Sequence, residues 1–259
     1  MPRRFFSAKR LTQGQCLPLP PELARHMVTV LRLSAGEEII LFDGTGGEYP
    51  ARLAMAPTPA FSEKSRKPRI SPALVAQLGE WRPVERESPL FLTLAQTMQA
   101  QDKMDFTLQK AVELGVSAFV PLSGRRSTPR LSGERAEKRQ WRWRGVAVSA
   151  CEQCGRNRVP EIYDLRNITD WLREDAVALP GLKFILLPGA PGNLSEFSPS
   201  VVPEHVTLLV GAEGGFAPEE EDAALRAGFM PLALGERVLR TETAGLAALA
   251  ILQHLWGDL

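Results

Sequence analysis

Two glycine-bearing segments near the C-terminus hold the residue types best suited to chemistry. They are Gly211-Ala-Glu-Gly-Gly-Phe216 and Leu234-Gly-Glu-Arg-Val-Leu-Arg-Thr-Glu-Thr243. Glycines let a backbone turn sharply and approach a ligand with no Cβ in the way. The first segment follows the apolar run Val206-Thr-Leu-Leu-Val210 and precedes a helix start. There Pro218 suits the first helical position, Glu219, Glu220 and Glu221 suit the positive N-terminus, and Gly228 suits the end. Glutamates 213, 219, 220 and 221 repel phosphate, and the glycine spacing is neither that of a dinucleotide loop nor that of a loop ending in Gly-Lys-Ser/Thr. Nucleotide di- and triphosphates are therefore poor ligands, and an adenosine bearing a cationic sulfonium fits better. In the second segment, Arg240 and Glu242 have the plain reading of a surface ion pair. Thr241 or Thr243 is expected to cap an apolar helix from Ala244 to Trp256.

Cys151-Glu-Gln-Cys154 has redox or zinc spacing, but zinc needs about four ligands. The other cysteine is Cys16, and the histidines are His26, His205 and His254. Two ordinary cysteines near a helix end, and no metal site, are expected. Charge is segregated along the chain although its net value is only +1. Arg125 to Arg158 holds ten Lys and Arg against three Glu, and Gly211 to the end holds eight acidic residues against three Arg. Such segregation suits either a solvated helix face or an anionic polymer partner. No run approaches the roughly 18 apolar residues of a membrane span. The basic start MPRRFFSAKRL lacks the apolar core of a signal peptide, so a cytoplasmic protein is expected.

The elements that must position these residues follow from periodicity. Glu38–Phe42, Glu48–Leu53 and Ala73–Leu78 read as strands, with Asp43-Gly-Thr-Gly-Gly47 as a turn and Ala56 to Pro72 as a loose loop. Glu80 to Pro89, charged and holding two prolines, is the candidate linker. From Leu90 strands and helices alternate: strands at 90–95, 116–122, 183–187, 206–210 and 230–234, helices at 103–114 and 134 to about 150. Gly115 sits where a left-handed helix cap belongs. This alternation argues an α/β fold with a mostly parallel sheet, whose ligands bind beyond the carboxyl ends of the strands.

GAEGGF followed by LGERVLRTETAGLAAL strongly resembles the two C-terminal signatures of the SPOUT family that methylates 16S ribosomal RNA at uridine N3. The resemblance extends to Lys103-Met-Asp-Phe with Gln109-Lys-Ala-Val-Glu-Leu-Gly115, to Ala150-Cys-Glu-Gln-Cys-Gly-Arg-Asn-Arg-Val-Pro-Glu161, and to His26-Met-Val-Thr-Val-Leu-Arg32 with Phe42-Asp-Gly44. Ala212 stands where the family usually has proline, and Ala217 where serine is common. The resemblance implies a PUA-like β-barrel over residues 1–82 that helps hold RNA, and a trefoil-knotted α/β methyltransferase domain over 83–259. It implies S-adenosylmethionine contacts from Leu187, Pro188, Gly189, Gly211, Glu213, Gly214, Gly215, Leu234, Gly235, Val238 and Leu239, and a homodimer. The implied partner is 16S rRNA or the small ribosomal subunit.

Methylating N3 requires loss of an imino proton and an aligned attack, so orientation dominates. Arg240 is the candidate cation and Glu213 the candidate base. Arg4, Arg10, Arg32, Arg125, Arg126, Arg156 and Arg158 are the expected RNA contacts. The competing readings are a methyltransferase acting on a ribose 2′-O or another base position, a non-catalytic RNA-binding assembly factor, and a CxxC redox protein.

Overall fold

The computed structural model describes residues 2–56, 74–128, 131–194 and 202–259. The expected loose loop, apart from Ala56, and Arg130 of the basic run lie outside the described residues. The chain divides into two compact units, Met1–Arg86 with Gly155–Arg158, and Glu87–Cys154 with Val159–Leu259.

In the first unit, β1 (Arg3–Phe6), β2 (Cys16–Pro18), β3 (Glu38–Phe42), β4 (Tyr49–Met55) and β5 (Leu74–Leu78) form one sheet in the order β1-β3-β4-β5-β2. β1 runs parallel to β3, and the other pairs are antiparallel. Alternate residues (Ile39 and Leu41, Ala51 and Leu53, Leu74, Ala76 and Leu78) point into one core with Phe5 and Leu17. A short helix α1 (Pro21–Arg25) runs into a single π-turn, His26–Val30, whose fully buried Met27 plugs that core. The expected linker belongs to this unit as far as Arg86. Arg82 exchanges backbone hydrogen bonds with Glu48 (2.9 and 2.8 Å), and Gly47 N donates to Glu85 Oε1 (2.6 Å).

The second unit holds β6 (Phe91–Thr97), α2 (Gln101–Glu113), β7 (Ala118–Ser123), α3 (Glu134–Cys154), β8 (Glu161–Ile162), β9 (Arg166–Asn167) and α4 (Ile168–Glu174). These are followed by β10 (Leu182–Leu186), β11 (Gly192–Asn193), β12 (His205–Val210), α5 (Pro218–Arg226), β13 (Met230–Ala233) and α6 (Thr241–Trp256). The strands form a sheet in the order β11-β13-β10-β12-β6-β7-β8, with β9 beside β7. Every pairing is parallel. Both faces are covered, which is why the central strands read as continuous apolar runs. Ala95, Val120, Ile185 and Leu209 pack under α4 and α5 with Trp171, Phe216 and Phe229. On the other face α6 packs on β6, β12 and α2, with Gly245 lying over Leu94, Gln96 and Val210. Gly115 (φ +82°) and Gly228 (φ +87°) end α2 and α5 in the left-handed conformation that glycine tolerates. Among the described residues no helix is long and apolar enough to cross a membrane.

Candidate active site

β13 and β12 flank β10 on opposite sides, so the loops leaving the carboxyl ends of these three strands converge. Together they line a cavity of about 590 Å³. Leu187, Pro188 and Gly189 come from the loop after β10, Gly211, Glu213 and Gly215 from that after β12, and Leu234, Gly235, Val238 and Leu239 from that after β13. Arg240 lines the same cavity. Gly214 does not: a Cβ there would sit 3.1 Å from Arg126 Cβ, and its carbonyl accepts from Arg126 Nη1 at 3.1 Å. Gly189 (φ +75°), Gly215 (φ +68°) and Gly235 (φ +85°) each have open space where a side chain would begin.

Local chemistry explains the turn after β12. Gly215 N donates to Ala212 O (2.9 Å), closing a four-residue turn whose last member is a glycine in the left-handed region, φ +68°. Its entry is held by a buried polar network. Thr241 Oγ1 donates to Gly211 O and accepts from Gln96 Nε2 (3.2 Å) and Gln99 Nε2 (3.1 Å). Thr107 Oγ1 donates to Gln99 Oε1 (3.1 Å), and Thr97 Oγ1 to Val210 O (3.1 Å). This corrects the expected cap. α6 begins at Thr241, not Ala244; Arg240 occupies the N-cap position, and no side chain bonds there. The Thr241 hydroxyl serves β12 instead, because a buried carbonyl at Gly211 needs a donor. Gln96, Gln99 and Thr107 were not among the expected site residues. The signal for Gln96 and Gln99 was available as polar side chains just beyond the buried run that begins at Leu90, whereas Thr107 is one polar residue on the amphipathic helix α2.

The electrostatics also differ from the plain reading of Arg240. Glu242 does not pair with it; Lys103 Nζ on α2 lies 4.0 Å from Glu242 and 3.1 Å from Glu213. Arg240 is exposed and has no ion pair or side-chain hydrogen bond among the described residues. At the start of α5, Glu220 is buried and accepts from Ala217 N (2.8 Å) and Arg125 N (2.7 Å). Its carboxylate therefore holds the place where a helix N-terminus would receive a phosphate.

The arginines expected on RNA separate into interior and surface groups. Arg4 pairs with Glu48 and donates to Asn157 Oδ1, and its side chain is only 12% exposed. Arg156 is buried. Both are withdrawn from the RNA-facing set: Arg156 is buried, and the largely covered Arg4 guanidinium is taken up by Glu48 and Asn157. Arg10 and Arg32 are exposed, Arg32 with a left-handed φ of +56°. Arg158 lies 3.6 Å from Glu85, Arg125 pairs with Glu219, and Arg126 lines the cavity. Cys151 is buried and Cys154 half-buried, in the last turn of α3.

The pattern of the RNA methyltransferase domain family matches residues 86–253, and that of the RNA methyltransferase PUA domain matches residues 19–59. The chain is 30% identical to ribosomal RNA small subunit methyltransferase E of Buchnera aphidicola from Acyrthosiphon pisum, over 90% of this chain and 86% of that protein. A Legionella pneumophila protein whose structure holds the cofactor SAM is 35% identical, with a TM-score of 0.87 and full coverage of both chains. A ribosomal RNA small subunit methyltransferase E from Neisseria gonorrhoeae, bound to S-adenosylmethionine, is 38% identical with a TM-score of 0.83, again over both whole chains. The fold is thus the α/β architecture of these SPOUT methyltransferases with a PUA-like N-terminal unit. The chain belongs to the RNA methyltransferase family.

Proposed function

We propose that this protein transfers a methyl group from S-adenosylmethionine to N3 of a uridine in 16S ribosomal RNA, acting as a cytoplasmic homodimer on the rRNA or the small subunit. The cavity at the carboxyl ends of β10, β12 and β13 carries this reading. Its glycine edges leave room for a flat ligand, and the blocked α5 N-terminus disfavours a phosphate. Residues 1–82 are assigned to holding RNA and residues 83–259 to the reaction. A dimer is supported by apolar surface near the C-terminus, where Val238, Ile251 and Leu255 are exposed.

When bound, S-adenosylmethionine supplies an electrophilic methyl on a cationic sulfur. The three loops hold and orient it, Gly214 acting through its contact with Arg126 and not from the cavity wall. N3 lies on the pairing edge of uracil, so the target must be unpaired or flipped out. Arg240 stabilises negative charge developing on the uracil carbonyls, a role for which an uncommitted guanidinium suits. Glu213 receives the imino proton, and Lys103 steadies its carboxylate from α2.

The test is transfer of a labelled methyl group to small ribosomal subunits, followed by nucleoside analysis. 3-Methyluridine is the expected product, absent from rRNA of a deletion strain. A 2′-O-methyl nucleoside would move the reading to ribose chemistry, and no incorporation would favour the assembly-factor reading. Light scattering at micromolar concentration should give the mass of a dimer.

A further inference from the structure

We infer that the outer face of α3, centred on Trp141, is a stacking platform for an unpaired nucleotide of the RNA substrate, separate from the methyl-transfer cavity. The face is built by helical spacing. Gln140, Trp143, Ala147, Ala150 and Cys151 point inward, with Trp143 fully buried as the anchor. Two residues earlier and nearly opposite on the helix, Trp141 is 71% exposed. Fixing so large an apolar ring in water does nothing for the fold. Gly145, one turn further along the same face, is also exposed, and a Cβ there would touch nothing within 4 Å. A mid-helix glycine weakens a helix by roughly 1 kcal/mol relative to alanine. The interior gives no reason for either residue, but together they leave one flank of the indole clear to the helix backbone.

The surrounding charge selects the occupant. Arg144 Cζ lies 5.7 Å from the indole centroid, and Lys138, one turn earlier on the helix, is also exposed, whereas Arg142 is held by the half-buried Asp105 on α2 at 2.6 Å. The carboxylate partners of Lys138 and Arg144 are exposed too: Glu134 at 2.7 Å from Lys138 and Asp164 at 3.9 Å from Arg144. Such pairs contribute little and exchange readily for phosphate. An exposed aromatic plane with the loosely paired cations Arg144 and Lys138 beside it matches single-stranded RNA, in which a base stacks on the ring and adjoining phosphates meet the cations.

The inference rests on the reading that RNA is the substrate, and its test separates the two. Trp141→Ala should weaken binding of transcribed 16S rRNA by about tenfold, the scale of one lost stacking contact. In methyl transfer to small subunits it should raise KM by a similar factor with kcat unchanged. Calorimetric affinity for S-adenosylmethionine and the mass by light scattering should not move. Trp141→Phe should recover most of the affinity. Gly145→Leu should weaken RNA binding while raising the melting temperature, because it fills the cleared flank with a better helix former. rRNA affinity within twofold of wild type for Trp141→Ala would overturn the platform. So would a loss of mass that accompanies the loss of affinity, since that would make the face an interface between protein chains. A wild-type protein that binds rRNA through Trp141 yet transfers no methyl would overturn the proposed reaction and leave the platform standing.

Discussion

Asp43–Gly47 in the first unit and Gly211–Gly215 in the second are nearly the same sequence device, a carboxylate residue among three glycines. They do opposite things. A side chain at Gly46 would collide with Glu85 and Arg158, and one at Gly47 with the Trp81 ring. Side chains at Gly215, and at Gly235 of the neighbouring loop, would meet nothing and enter the cavity. The carboxylates differ in the same sense. Asp43 folds back onto Thr45 Oγ1 (2.7 Å) and Leu11 N (2.9 Å), closing its own turn. Glu213 reaches out to Lys103 on another element. Glycines crowded by protein occur in both turns, Gly211 and Gly214 among them; what separates the binding turn from the structural one is an edge, at Gly215, that opens onto a cavity.

The largest effect expected from this contrast lies on the open side. Arg240→Ala should lower turnover by roughly a hundredfold, the scale of one lost charge-stabilising donor, with cofactor affinity within a few-fold. Since Glu242 has Lys103 as its neighbour, the substitution orphans no carboxylate. Normal turnover would make Arg240 a bystander. Gly235→Val should raise the calorimetric dissociation constant for S-adenosylmethionine at least tenfold, because a branched side chain at φ +85° is strained and projects into the cavity. Unchanged affinity would place the cofactor elsewhere. Gly47→Ala should do the reverse: lose roughly 1–3 kcal/mol of stability through left-handed strain and the clash with Trp81, yet leave cofactor affinity alone. Weaker cofactor binding in that variant would erase the distinction between the two turns.

The parts legible in sequence were those governed by neighbours along the chain. The strand at Glu38–Phe42, the start of α3 at Glu134, the helix stops at Gly115 and Gly228, and the cavity loops all follow local periodicity and turn chemistry. β1 and β2 were missed because strands of four and three residues carry too little alternation to be seen. α3 runs on to Cys154, beyond the expected end near Ala150, with Cys151 buried against the interior. The polar supports were hidden for a different reason. Arg4 and Asn157 are 153 positions apart, and Gln96 and Thr241 are 145 apart. Nothing local announces that an arginine in a basic N-terminus will be consumed by Glu48, or that a threonine with a good capping sequence will be claimed by Gly211. Preference for a cap is worth about 1 kcal/mol, and an unsatisfied buried carbonyl costs as much or more.

The smallest effect concerns Asp43, where the closed turn should reveal itself through pH. Burial favours the neutral acid, but hydrogen bonds from the Thr45 hydroxyl and from the Leu11 and Thr45 amides outweigh it, and Arg10 adds attraction. The carboxyl is thereby held below its ordinary value of 3.8. A group whose folded pKa is depressed stabilises the protein fully above its unfolded value, and that contribution fades as pH falls through the folded one. Melting of the first unit should therefore be insensitive to this group at neutral pH and drop on acidification below about pH 4. Asp43→Asn keeps the shape but sets an amide against donors, so it should lose about 1 kcal/mol at pH 7 and show a shallower acid dependence than wild type. Cofactor affinity, measured at neutral pH in the same variant, should stay at the wild-type value. Parallel acid curves for the two proteins would show that the Asp43 charge does not hold its turn, and the contrast with Glu213 would then rest on the glycines alone.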